Sequence, residues 1–183
     1  FLTRGLGFSA YFYEKYLMKS IFLVLAFALA SNIAGAQADS TKPLFERYPL
    51  PQFSILLPDS ASYFSKSNLP KNKYTILILF SPDCEHCQHE TELILKNINS
   101  FEKAHFVMTT TLPFEKMKEF YDKYKLKDYP SITMGRDTRH FFGGYFSPAI
   151  HSVPFIAIYD ENYVLRKVFD GAQKMEVLLA ELK

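Results

Sequence analysis

Tyr74-Thr75-Ile76-Leu77-Ile78-Leu79-Phe80-Ser81-Pro82-Asp83-Cys84-Glu85-His86-Cys87 is the stretch whose reading decides the fold. Its first seven residues form an unbroken apolar and β-branched run, the pattern of a strand buried on both faces. Ser81-Pro82-Asp83 interrupts the run, and a C-x-x-C follows at the mouth of a helix predicted from Cys84 to about Ile98. Three residues along a helix bring two side chains to the same face. These are the only two cysteines of the chain, and at this spacing they can close a small ring, open it and close it again.

The rest of the chain restricts what that pair does. With 183 residues and a formal charge of +2, there is room for one domain with a real core, and no basic block points to nucleic acid. Met18-Lys19-Ser20, the charge-free run Ile21 to Ala30 and the small residues up to Ala38 read as the n-region, h-region and cleavage site of a signal peptide. Ala34-x-Ala36 and Ala36-x-Ala38 both fit a small-x-small cleavage site, and the apolar run is short for a membrane span. Residues 1–17 precede the first methionine, so the reading takes Met18 as the start and residues 1–38 as upstream residues plus signal. The mature protein is then a single domain, 39–183, with an extension at 49–72 and a core at 73–183. It is expected to be exported, to the periplasm in a Gram-negative bacterium, with no stable membrane span after signal cleavage. In an oxidising compartment a C-x-x-C is either a redox catalyst or a structural disulfide. The loop it closes is too small to stabilise much, which favours catalysis.

Beyond the decisive stretch, periodicity lays out the remaining elements. Pro49 and Pro51 mark an extended entry, residues 52–57 a strand, Pro58-Asp59-Ser60 a turn and Ser62-Tyr63-Phe64 the return of a hairpin. A strand is predicted over 105–110. A helix runs from Pro113 to Leu126, with its stripe at Met117, Phe120, Tyr121 and Tyr124. A short strand follows at 131–134, and residues 143–150 read as a helical turn or loop. A hairpin of 155–159 and 164–169 ends at Asp170-Gly171, and Met175, Leu178, Leu179 and Leu182 stripe a last helix. Alternating strands and helices closed by a hairpin predict an α/β fold with a mixed central sheet flanked by helices.

From Leu50 onward the chain resembles the TlpA/ResA branch of the thioredoxin superfamily. Three matches carry the resemblance: Phe80 through Cys87, Glu90 three residues after the second cysteine, and Ile150-His151-Ser152-Val153-Pro154-Phe155, which is similar to the segment holding the superfamily's cis-proline. The resemblance implies a thioredoxin-like fold with an added N-terminal hairpin. It also implies an exported thiol–disulfide oxidoreductase that exchanges disulfides with cysteine-containing client proteins and with a thiol–disulfide redox partner, using no cofactor beyond its own redox-active disulfide. Cys84 is then the nucleophile, Cys87 the resolving thiol, and His86, Glu90, Val153 and Pro154 the supporting residues. Two departures stand out: Asp83 replaces the tryptophan usual before the first cysteine, and Ile78 replaces the buried acid of thioredoxin itself.

The chemistry requires a thiolate. A helix N-terminus stabilises an anion by ~0.3–1 kcal/mol, up to ~2 when partly buried. Protonated His86 adds to that field at Cys84, while Asp83 and Glu85 oppose it. Glu90 shares a stripe with Cys87, Ile94 and Ile98; a carboxylate facing inward there would have a raised pKa and could exchange a proton with Cys87, whereas at the stripe's edge it would be an ordinary exposed acid. The histidine before Cys87 and Val153 before the proline resemble oxidising members of the superfamily, so the direction of electron flow stays open. The rival from another class is copper or other metal binding through Cys84, Cys87, His86 and His89, although thioredoxin-fold copper chaperones carry C-x-x-x-C instead. Haem attachment fails because Gln88 stands where histidine is needed. A peroxidase motif lacks its proline at Leu77, and the bland alternative is a binding module with an inert disulfide. The aromatic run 141–146 reads as core, and Lys116 to Lys127 as a solvated helix face.

Overall fold

A computed structural model describes residues 43–183. The predicted signal peptide and the residues upstream of it lie outside the described part. The chain enters with one turn of helix, α1 (Leu44–Arg47), and a hairpin of β1 (Ser54–Leu56) and β2 (Tyr63–Ser65). Then come β3 (Tyr74–Leu79), α2 (Glu85–Lys96), β4 (Ala104–Thr110), α3 (Phe114–Lys123), β5 (Ile132–Arg136), α4 (Phe141–Phe146), β6 (Phe155–Tyr159), β7 (Leu165–Asp170) and α5 (Met175–Ala180). One seven-stranded sheet runs in the order β2-β1-β5-β4-β3-β6-β7. The β3–β4 and β4–β5 pairs are parallel; the other four are antiparallel. The mixed sheet, the N-terminal hairpin and the closing hairpin all follow the sequence reading.

The parallel centre explains the composition of its strands. Every residue of β3 after Tyr74, and all of β4, is buried, because crossover helices cover one face and the N-terminal segment covers the other. Ile76, Ile78, Phe106 and Met108 point to the face packed by α2, α3 and α5. Leu77, Leu79, Val107, Phe155 and Tyr159 point to the opposite face, under Phe142 and Phe146 of α4 and Tyr48, Leu50 and Phe53 of the entry segment. The aromatic run in α4 is core at Phe142 and Phe146, as expected, while Phe141 is exposed. The Tyr145 hydroxyl donates to the Pro49 carbonyl and ties α4 to the entry segment. The extension therefore helps α4 to build the second half of the core, with Leu50, Phe53, Ile55 and Leu69.

Boundaries differ from the sequence reading for local reasons. Cys84 is the N-cap of α2 rather than its first helical residue, since its backbone is extended (φ −88°, ψ 119°). Pro113 likewise caps α3 from outside (φ −49°, ψ 148°). That helix stops at Lys123, short of Leu126, because Lys125 turns left-handed (φ 49°). The helix placed ambiguously at 143–150 starts earlier, at Phe141, after left-handed His140. The strand expected over 164–169 is shifted one residue, to Leu165–Asp170.

The hairpin joins the core sheet through the pair Leu56–Arg136, and Gly135 makes that approach possible. A Cβ there would lie 2.9 Å from both the Leu56 carbonyl oxygen and Ile55 Cγ1. Gly135→Ala is expected to destabilise by about 1–3 kcal/mol through overpacking. In urea its midpoint should fall with an unchanged slope; an unchanged midpoint would mean the hairpin yields freely. Among the described residues, no helix is long and apolar enough to cross a membrane.

Candidate active site

Parallel α/β sheets place functional groups at the carboxyl ends of their strands, and here β3 delivers the C-x-x-C to that edge. Phe80 N–H still donates to Thr109 O (3.0 Å), the last rung before the chain turns. The Ser81-Pro82-Asp83 turn closes with Cys84 N–H donating to Ser81 O (3.1 Å), and Gln88 N–H to Cys84 O (3.0 Å) begins the helix. The Gln88 side-chain amide donates to Pro82 O (2.8 Å) and braces the same turn.

Both cysteines are free thiols. Cys84 is half-buried at the N-cap, and its Sγ accepts the Cys87 N–H at 3.4 Å. It also contacts the Val153 carbonyl oxygen at 3.7 Å, with the thiol as donor. The Val153–Pro154 peptide is cis, as the resemblance implied, and so is Ser147–Pro148, which the sequence reading did not foresee. Val153 is exposed and Pro154 buried.

One turn further in, Cys87 is 1 % exposed. Burial pushes its thiol up to about 12, against a Ser81 backbone hydrogen bond; Cys84 and Glu90 reinforce the rise. Of the two positions the helical stripe allows Glu90, inward or at the edge, the structure has it inward: it is 2 % exposed. Burial raises its carboxyl above the usual glutamate range, opposed by a hydrogen bond from Gln173 and by His89. Oε2 accepts Gln173 N–H at 2.9 Å, while Oε1 has no partner among the described residues. A buried thiol and a half-satisfied buried carboxyl thus occupy one helical face three residues apart.

The other acids and histidines of the motif face outward. His86, Glu85 and Asp83 are exposed. Asp83 is paired with Lys116 of α3 at 3.0 Å, a solvent-screened surface contact that contributes little to stability. Lys116 therefore offsets part of the opposing charge expected from Asp83. No three His, Cys, Asp or Glu side chains among the described residues converge as metal ligands.

Sequence reasoning missed the turn after β7. The Asp170 carboxylate accepts His151 N–H (3.1 Å), Ser152 N–H (2.8 Å) and the Ser152 hydroxyl (3.2 Å). The Ser152 and His151 amides hold its carboxyl below the usual range. Gly171 N–H donates to Pro154 O (2.9 Å). Asp170-Gly171 was legible only as a strand breaker; that it reaches the proline loop depends on pairing across the hairpin. Beside Val153 lies a groove of about 160 Å³ walled by Leu79, Phe80, Thr109, Phe142 and Ile150. On the far side of the motif a polar depression of about 280 Å³ is bounded by Asp83, Gln88, Lys116 and Lys123.

The asymmetry between the thiols is directly measurable. Iodoacetamide at pH 8 is expected to modify Cys84 and to leave Cys87 unmodified until the protein is unfolded, as read by mass spectrometry of peptides. Equal native-state labelling of both would contradict the burial of Cys87.

Solved structures share the fold. DsbF of Mycobacterium tuberculosis, in mixed oxidised and reduced forms, superposes with a TM-score of 0.59 at 24% identity over 72% of this chain and 92% of that one. A secreted Mycobacterium tuberculosis disulfide oxidoreductase homologous to Escherichia coli DsbE gives 0.55 at 19% identity, over 72% and 94%. StoA from Bacillus subtilis gives 0.53 at 15%, over 73% and 97%. No protein-family model and no curated protein matches the chain. At these identities the likeness establishes the fold: the described residues form a thioredoxin-like α/β domain with a mixed sheet flanked by helices.

Proposed function

We propose that this protein is a thiol–disulfide oxidoreductase of the TlpA/ResA type, exported behind its N-terminal signal, that exchanges disulfides with protein clients through Cys84 and Cys87. The observation that carries the reading is the pairing of one accessible sulfur at a helix N-terminus with one buried thiol a turn behind it. A solved neighbour of the same fold that is described as a disulfide oxidoreductase supports it.

In the reductive direction the Cys84 thiolate attacks a client disulfide. A Cys84–client mixed disulfide forms and one client thiolate leaves. Cys87 then passes its proton to the Glu90 carboxylate and attacks Cys84 Sγ. The intramolecular disulfide forms and the second client thiolate departs, so the client gains two electrons and the dithiol loses two. A redox partner of the same chemical class restores the dithiol by the reverse exchange. When Cys84 ionises it gives up the thiol hydrogen bond to Val153 O but keeps the Cys87 amide. The freed carbonyl can then accept a client N–H, as in strand addition.

The test is turnover of insulin disulfides by the purified protein, together with the equilibrium potential of its couple in glutathione or dithiothreitol buffers. Catalysed turnover is expected. A potential near about −270 mV marks a reductant and one near about −120 mV an oxidant. A pair that neither turns over insulin nor equilibrates with these buffers would overturn the proposal.

A further inference from the structure

We propose that Asp170 is a positioning residue for client capture: its carboxylate sets the His151–Ser152 backbone so that the edge at Val153 is presented beside Cys84 to an extended, disulfide-bearing polypeptide. The proposal rests on the thiol–disulfide reading and names what selects its substrates. Asp170 is the last residue of β7 and stands opposite Phe155 in the β6–β7 ladder. One of its oxygens, Oδ1, takes all three hydrogen bonds from the loop before Pro154. The next residue, Gly171, takes the far end of that loop through the Pro154 carbonyl, with a left-handed φ of 103°. A single dipeptide thus brackets residues 151–154 from both sides. Among the described residues, no other side chain bonds His151 or Ser152.

What the bracket holds in place is the Val153 carbonyl, 3.7 Å from Cys84 Sγ, on a residue 36 % exposed. Three charge-assisted bonds on one carboxylate oxygen make a strong restraint for an exposed loop. A peptide adding to this edge needs the carbonyl aimed outward and level with the sulfur. A small disulfide needs only the sulfur. Asp170 therefore acts on affinity for extended chains, and the pre-set loop lowers the ordering cost of binding them.

The experiment compares two substrates on the full chain: insulin, a disulfide carried on polypeptide chain that can add along the edge, and 5,5′-dithiobis(2-nitrobenzoate), a small one that cannot. Asp170→Ala is expected to raise KM for insulin about tenfold with kcat held within twofold, and to lose about ten times more kcat/KM on insulin than on the small disulfide. Asp170→Asn keeps an acceptor oxygen and is expected to raise the insulin KM only about two- to threefold. Equal losses on both substrates, or an unchanged KM for insulin, would overturn the proposal. Should Asp170→Ala fail to fold, Asp170→Asn decides: an insulin KM equal to that of the wild type rejects the role. A wild-type protein inactive on both substrates would instead reject the parent reading.

Discussion

Cys84→Ser is expected to reduce insulin-disulfide turnover to the uncatalysed level, a loss of about 10³-fold or more. Only a thiolate attacks a disulfide usefully, and Cys87 cannot stand in for it. The residue is 1 % exposed, and burial holds its thiol well above the ordinary cysteine range, so it carries little thiolate at neutral pH. Cys87→Ser should fail differently. The accessible sulfur still attacks, but nothing resolves the adduct, so a mixed disulfide with the client accumulates as a heavier band on a non-reducing gel. Residual catalysis in Cys84→Ser, or no trapped adduct in Cys87→Ser, would assign the chemistry to other groups.

Glu90→Gln is expected to slow the resolving step by about 10²–10⁴-fold, the usual range for loss of a general acid or base, and to raise stability at neutral pH. The kinetic part follows from a proton that must leave a buried thiol where the carboxyl three residues on is buried too. Its unpartnered Oε1 leaves an acceptor free while Oε2 stays bonded to Gln173. The stability part follows from linkage. The folded carboxyl titrates above its ordinary value of 4.5. Its contribution is therefore fully present below about pH 4.5 and is lost as pH rises through the folded value. Glutamine removes that loss while its carbonyl oxygen still accepts from Gln173. The melting temperature of the variant should exceed that of the wild type at pH 8 and converge with it near pH 4. Stopped-flow resolution and thermal melts across pH read the two effects separately. Parallel melting curves with an unslowed second step would place Glu90 outside the chemistry.

The contrast between these two residues shows how far the primary structure reaches. Cys84 was legible because its chemistry depends on local features: a buried strand run, a breaking turn, and a spacing that only a helix turns into proximity. The same locality made the β3–turn–α2 unit, the stripe of α3 and the closing hairpin readable. Glu90 was half legible. Its place on the Cys87 face follows from period 3.6, but whether that face carries the glutamate inward depends on what packs against it. That is the Gln173 segment, 83 residues on. Asp170 was not legible as a site residue at all, since a carboxylate closing a strand reads as a turn until the β6–β7 pairing brings it to residues 151 and 152.

By itself, then, the order of residues determined the succession of elements, the mixed character of the sheet, and which sulfur stands at the start of the helix, because hydrophobic period and turn chemistry act over a few residues. Only the tertiary structure decided how deeply Cys87 and Glu90 are buried, that the entry segment completes the core under α4, and that the β7 terminus braces the proline loop. Those properties come from segments far apart in the chain excluding water from one another, and no local pattern encodes the distance between them.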